Sequence, residues 1–295
     1  MIEALQILSR GLGIGSVYAL LALGFVIIYK STRVISFAQP AFMLAGAVMV
    51  SYLVGPVGFF AAIPLAALGT AILALGVERV AIRPMVGRPA FAVAIITLGI
   101  DVVVRVVTNG FIGIDIRPLG DPWGLKSTMI LGAEIQQRHI AMVVTTALMV
   151  TVLFLFFRYT RMGLAMRAAS FDQEAALAQG VSVGVVFALS WAIAGALAAV
   201  GGAFAAVGAS VEQNLWLTAL VALPVIILGG LDSLPGAVVG GLLVGVLQEL
   251  VANYQHTFPV WLGGNIAVIT PYVVMLLVLL VRPYGLFGTR EVERV

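Results

Sequence analysis

Nine runs of predominantly apolar residues constrain this chain more than any other feature: Gly11–Tyr29, Ala38–Val54, Val57–Val77, Pro89–Asn109, Ile140–Phe157, Gly184–Ala209, Leu217–Gly230, Pro235–Ala252 and Asn265–Val281. A helix needs roughly 20 such residues to cross the hydrocarbon of a bilayer, and most of these runs qualify. Only 10% of the residues are charged, against about a quarter in a soluble domain, so no solubilising surface can be assembled. The sequence therefore predicts an all-α polytopic integral membrane protein, a single transmembrane domain over residues 1–295. Arg10 is the one cation before the first run, with Glu3 beside it, which predicts a retained span rather than a cleaved leader.

Leu217–Gly230 falls about two turns short of a span. It is separated from Pro235–Ala252 only by Leu231-Asp232-Ser233-Leu234, which predicts a broken or re-entrant element whose turn is shaped by Gly229, Gly230, Pro235 and Gly236. Such backbone is tolerated at membrane depth only inside protein or beside a water-filled cavity. Loop cations set the orientation. With loops 30–37, 78–88, 158–183 and the C-terminus from Arg282 in the cytoplasm, that side holds eleven: Lys30, Arg33, Arg79, Arg83, Arg88, Arg158, Arg161, Arg167, Arg282, Arg290 and Arg294. The opposite side holds four, Arg10, Arg117, Lys126 and Arg138. The expectation is an outside N-terminus, a cytoplasmic C-terminus and about eight transmembrane segments, either nine crossings or seven plus a re-entrant pair over 217–252.

One cytoplasmic loop, 158–183, is an amphipathic island between two membrane-length runs. Ser170 and Gln173 form an S-x-x-Q pattern that predicts a capping box, with Asp172 and Glu174 in the first turn. Gly180 stands where a left-handed cap would end the helix. About ten residues, or ~15 Å, are too short and too polar to span, and a capped helix with no core of its own needs something to dock into. A helix lying on lipid is the alternative. The side carrying Phe171, Ala175 and Ala178 is small and alanine-rich, which suits a protein groove better. Glu174 would meet a polar or cationic partner there, or serve only to stabilise the helix dipole.

That island reads Glu174-Ala175-Ala176 followed by Gly180, which resembles the EAA-x3-G loop of permease subunits of ATP-binding-cassette importers. The surrounding Thr160-Arg-Met-Gly163, Met166-Arg167-Ala168 and Asp172 are similar to the branched-chain amino-acid type of permease. Gly11-x3-Gly15-x2-Tyr18-Ala19-Leu20 resembles that family's opening span. Ser36-Phe37-Ala38-Gln39-Pro40 is similar to its Asn-Phe-Ala-His-Gly, with Ser36 for Asn and Gln39-Pro40 for His-Gly. Leu228-Gly229-Gly230-Leu-Asp232-Ser233-Leu234-Pro235-Gly236 resembles its Gly-Gly-x-Gly-Ser-x-Pro-Gly turn, with Asp232 for Gly. Arg282-Pro283-Tyr284-Gly285-Leu286-Phe287-Gly288 resembles its Arg-Pro-x-Gly-Leu-Phe-Gly ending.

The resemblance implies alternating access in the bacterial cytoplasmic membrane, moving a branched-chain amino acid or a similar amino acid, amide or carboxylate inward. It implies a second, related permease, two ATPase subunits that bind ATP and Mg, and an extracytoplasmic solute-binding protein. Coupling to the ATPases would rest on Ser170, Asp172, Glu174, Ala175, Ala176 and Gly180. Neither Lys30 nor Lys126, the two lysines, lies in a G-x-x-x-x-G-K-[ST] loop, so this chain is expected to bind no nucleotide itself.

Charges inside the spans are the other candidates. Asp101 and Arg105 lie four apart on one face of a span, and each would cost ~2.5–3.5 kcal/mol at a bilayer centre if unpaired. They are read either as pathway residues, with Ser36, Gln39 and Glu249, or as a structural ion pair. Gly236-x3-Gly240 and Gly241-x3-Gly245 allow close helix approach, within this chain or to the second permease. In the extracytoplasmic loop 110–138, Phe111–Pro118 alternates like a short strand and Asp121-Pro-Trp-Gly124 predicts a turn; docking of the binding protein is one hypothesis for it.

No chemistry-bearing constellation supports an enzyme. There is no cysteine, and His139 and His256 have no partner at metal-ligand spacing and no nucleophile beside them. Gly11-Leu-Gly-Ile-Gly15 opens a span rather than following a strand, so it is no dinucleotide fingerprint. The basic balance comes from loop arginines and carries no nucleic-acid signal. The competing class is a self-sufficient secondary transporter or channel, which would want inverted repeats and a chain of midplane charges.

Overall fold

A computed structural model describes residues 2–85, 88–113, 117–258 and 265–289. Among them, seven helices are long and apolar enough to cross a membrane, and two shorter apolar helices accompany them. The chain begins with α1 (Ile2–Thr32), α2 (Gln39–Val57) and α3 (Phe59–Val77). α3 runs on through a π turn, Glu78–Ile82, and a 3-10 turn, Arg83–Met85. Then come α4 (Ala90–Ile112), α5 (Gln137–Tyr159), α6 (Arg161–Phe171), α7 (Gln173–Ala178), α8 (Val183–Ala206), α9 (Leu217–Leu220), α10 (Ala222–Gly229), α11 (Leu234–Tyr254) and α12 (Ile266–Val281). The nine apolar runs all appear as helices, some extended by polar turns at their ends.

α1 is the axis of the bundle. It is apolar all round and buried along most of its length from Gly11 to Ser31, as expected of a helix enclosed by others. α11, α8, α5 and α10 pack around it, and α2 and α3 pack on α8. The tightest seam joins α1 to α11. A Cβ added at Gly241 or Gly245 would meet the backbone of Ala19 or Gly15, so these glycines bring the two backbones into contact. Gly240 likewise lies against Val225 and Leu228 of α10. Both small-residue repeats are therefore used for packing within this chain.

Contacts separate two ends of the bundle. At one end Lys30 meets Asp232, Arg33 meets Ser170, and Arg83 meets Glu78 and Gly184. At the other, Arg10 meets Glu249, Glu3 meets Asn253, and Tyr52 meets Phe111. The loops assigned to a common side by their cations thus gather at a common end, apart from Arg290 and Arg294, which lie outside the described residues. α8 runs from the basic end to the other, and α9–α10 returns to the basic end before α11 sets out again. The short element is a partial crossing of 13 residues, Leu217–Gly229, or ~20 Å.

The loop between α4 and α5 departs from expectation. Phe111 and Ile112 still belong to α4, only Arg117–Pro118 is a strand (β1), and residues 114–116 lie outside the described residues. The expected turn is present: Asp121 accepts from the Trp123 amide through its carboxylate and from the Gly124 amide through its carbonyl. Beyond it β2 (Ser127–Ile130) and β3 (Ala133–Gln136) form an antiparallel hairpin, Ser127 opposite Gln136. β1 pairs with β4 (Ser210–Val211) just after α8.

Gly245→Val should force α1 and α11 apart and lower thermal stability in detergent by roughly 1–3 kcal/mol. Gly76→Val on α3, where a Cβ meets nothing within 4 Å, should leave the melting temperature unchanged. Equal effects of the two substitutions in a melting assay would contradict the seam.

Candidate functional site

The basic end presents a helix–turn–helix that has little packing of its own. α5 ends at Tyr159, and Thr160 caps α6 by accepting from the Gly163 amide at 2.9 Å. α6 ends at Phe171. Asp172 is extended, which stops the helix, and its carboxylate accepts from the Ala175 amide at 3.0 Å. Asp172 is therefore the N-cap of α7.

This corrects the expected capping box. Ser170 lies inside the last turn of α6, and its hydroxyl donates to the Arg167 carbonyl. Gln173 turns away from α7 altogether. The helix that results spans six residues, Gln173–Ala178, not about ten, because the chain spends Ser170 and Phe171 on α6. The other end is as expected. Gly180 is left-handed at φ 81°, its amide reaches Leu177 and the Val181 amide reaches Ala176, the two bonds of a Schellman motif.

α7 buries only Ala176. Glu174 and Ala175 face out, Leu177 is 55% exposed and neighbouring Phe171 is 88% exposed. Two bonds tie this segment down. Arg33 donates to the Ser170 carbonyl at 2.6 Å and Gln173 donates to the Ser31 carbonyl at 2.8 Å. Cavities of about 420 and 500 Å³ flank it, both lined by Arg33, Ser170 and Phe171.

The candidate pathway residues divide. Ser36 and Gln39 are fully buried around the start of α2. Gln39 donates to the Ala194 carbonyl of α8 at 3.0 Å, in space left by Gly24, while its Oε1 has no hydrogen-bond partner among the described residues. Thr97 of α4 accepts from the Phe37 amide at 3.0 Å. One turn on, Asp101 pairs with Arg105 at 2.9 Å. The Arg105 guanidinium lies 3.8 Å from the ring centre of Trp216, just before α9. Thr97, Asp101 and Arg105 thus form a polar line along α4, from Phe37 beside Ser36 at the start of α2 to Trp216 before the partial crossing, while Gln39 faces α1 and α8 instead. Glu249 is not part of it: it pairs with Arg10 at 3.5 Å at the other end of the bundle.

At the broken element, α10 stops because Gly230 takes φ 107°. Ser233 then caps α11 by accepting from the Gly236 amide at 3.0 Å, with Pro235 in the first turn, where no amide donor is needed. The segment after α12 crosses this turn, its Leu286 and Phe287 amides donating to the Leu228 and Gly229 carbonyls at 2.8 and 3.1 Å. Thr289 bonds the Asp232 carboxylate. The two glycine-rich motifs, some 50 residues apart, satisfy each other's backbone.

Residues 7–281 match the family described as the permease component of branched-chain amino-acid transport systems. The chain belongs to this family. A high-affinity branched-chain amino-acid permease protein LivH from Salmonella typhimurium is 30% identical over 99% of this chain and 97% of its own length. BraD from Pseudomonas aeruginosa is 29% identical over 99% and 98%. A solved complex of PsaBC from Streptococcus pneumoniae with a Fab is 16% identical, covers 92% of this chain and 89% of its own, and has a TM-score of 0.49, too slight a likeness to argue from. The permease is a multi-pass inner-membrane protein.

Several contacts at its basic end were not foreseen. Glu78, buried at the end of α3, makes two 3.1 Å bonds to Arg83, which also donates to the Gly184 carbonyl at 2.9 Å and so fastens α3 to α8. Glu78 and Arg83 stand five apart in sequence, outside the helical i, i+4 spacing, and only the π turn brings them together. Gln173 and Arg33 carry no spacing signal for contacts reaching more than 100 residues.

Asp172→Ala should cost α7 about 1 kcal/mol of helix stability, seen as faster amide exchange over 173–180, whereas Ser170→Ala should leave that exchange unchanged. The reverse ranking would restore Ser170 as the cap.

Proposed function

We propose that this permease is the membrane subunit of an ATP-binding-cassette importer. It moves a branched-chain amino acid, or a similar small amino acid, amide or carboxylate, inward by alternating access. The basic end then faces the cytoplasm, where two ATPase subunits hold ATP and Mg, and a second, related permease completes the cavity. A solute-binding protein delivers from outside, with the loop that carries the β2–β3 hairpin as part of its landing surface. The observation that carries this reading is α7: capped at both ends, bare on its outer side and tied to the bundle by its own Gln173 and by Arg33 on the adjoining turn of α6. A six-residue helix cannot persist alone, so its exposed Phe171, Glu174 and Leu177 suit a groove in a partner.

In this mechanism ATP-driven closure of the ATPases moves α7, and the spans respond. Ser36, Gln39, Asp101 and Arg105 border the route, and Gln39 Oε1 and one Asp101 oxygen have no hydrogen-bond partner among the described residues. An open polar group at that depth is costly unless water, solute or another subunit meets it. Gly229, Gly230, Pro235 and Gly236 provide the bend on which the partial crossing can turn.

The test is purification from the native membrane. The wild-type chain should bring ATPase subunits and ATP hydrolysis with it. Gly180→Asp, which puts a side chain and a charge at a left-handed cap, should lose the ATPase subunits while the permease itself remains folded. Recovery of the chain alone, with solute uptake into ATP-free liposomes, would make it a secondary transporter and end this reading.

A further inference from the structure

The end of α1 touches both moving parts that the proposed function needs, and it touches them through side chains. Gln173 donates to the Ser31 carbonyl at 2.8 Å and Arg33 to the Ser170 carbonyl at 2.6 Å. Three residues back along the same side, Lys30 donates to the Asp232 carbonyl at 3.2 Å, and Lys30, Arg33, Ser170 and Asp232 line one cavity. Asp232 belongs to the break between α10 and α11, and its carboxylate holds Thr289 of the C-terminal segment. Within four residues, α1 is joined to α7 and to the broken element.

We infer that residues 30–33 relay the movement of α7 to the α10–α11 break, with Arg33 as the positioning residue on the α7 side. Three observations support a relay over simple packing. First, cavities lie on both sides of Ser170–Phe171 and α7 buries only Ala176, so little packing carries force from this helix to the bundle. Among the described residues, Gln173 makes the side-chain hydrogen bond from α7 itself to the bundle, and Arg33 holds the last turn of α6 directly before it.

Second, Arg33 has φ 57°, a left-handed conformation that glycine adopts freely and a branched-out side chain resists. A helix end needing only to stop would be relaxed by glycine. Strain at such a position points to a task for the side chain, and its contact is Ser170. Third, α1 is the most enclosed helix of the bundle and is in backbone contact with α11. A shift at its end cannot be absorbed by lipid and must appear at α11 and α10. Densely packed interiors transmit displacement in this way.

This inference rests on the reading of α7 as the coupling helix, and its test separates the two. Because the chain has no cysteine, spin-label pairs can be placed without background from it. In the purified complex with its ATPases, Ala178→Cys with Leu68→Cys reports α7 against α3, and Val239→Cys with Leu68→Cys reports α11 against α3. Distances are measured in the nucleotide-free complex and after hydrolysis of ATP in the presence of vanadate, which traps ADP and vanadate in the ATPase sites, in the wild-type background and with Arg33→Gly.

Vanadate trapping should shift both pairs in the wild-type background. In Arg33→Gly, whose backbone is relaxed, assembly, melting temperature and the α7 shift should persist while the α11 shift is lost. Solute delivered per ATP should fall at least about fivefold, the lower end of ordinary coupling energies, and Arg33→Lys should restore part of it. An α11 shift of wild-type size in Arg33→Gly would overturn the relay while leaving α7 as the coupling helix. Neither pair moving in the wild-type background would overturn both readings.

Discussion

Everything in this bundle is referred to the seam between α1 and α11. In hydrocarbon there is no hydrophobic force between helices, so association depends on close packing and shared polar contacts. Gly241 and Gly245 bring α11 onto the backbone of α1, and polar bonds close the seam at intervals, Tyr18 to Gln248 at 2.8 Å and Arg10 to Glu249 at 3.5 Å. With α1 enclosed on its other sides by α8, α5 and α10, the helix becomes a fixed axis whose two ends carry different chemistry.

The irregular parts are permitted by that axis. Backbone that leaves the helix inside a membrane protein must find donors and acceptors locally. The break does so with Ser233, with the Lys30 side chain on the Asp232 carbonyl, and with the amides of Leu286 and Phe287 on the last carbonyls of α10. Asp232 in the turn gives Thr289 its partner and so ties the C-terminal segment down. The buried charges follow the same logic: Asp101 is offset by Arg105, and Arg105 by the face of Trp216.

Much of this was legible in the residues because the strongest signals are local. Apolar run length marked every long helix, Gly180 marked the Schellman end of α7, and the Asp121–Gly124 turn was where its residues said. The cap at Ser170 was misread for an equally local reason. Ser170 and Asp172 are both good capping residues two positions apart, and the choice was made by Phe171 continuing α6, which no pattern in 170–173 encodes. Glu249 was grouped with Ser36, Gln39, Asp101 and Arg105 by its charge alone, whereas pairing with Arg10 depends on how α11 docks on α1. The Glu78–Arg83 clasp needed the π turn, and the Gln173 and Arg33 contacts needed the fold. Long-range contacts of single polar side chains leave no periodicity to read.

A photo-reactive residue at Leu177, on the bare side of α7, tests the central claim most directly. In native membranes, irradiation should yield an adduct with a peripheral ATPase subunit, and a second probe at Leu148, on the exposed side of α5, should not. Adducts from Leu177 confined to lipid would contradict the account, because α7 would then be a helix lying on the membrane surface with no partner to couple to.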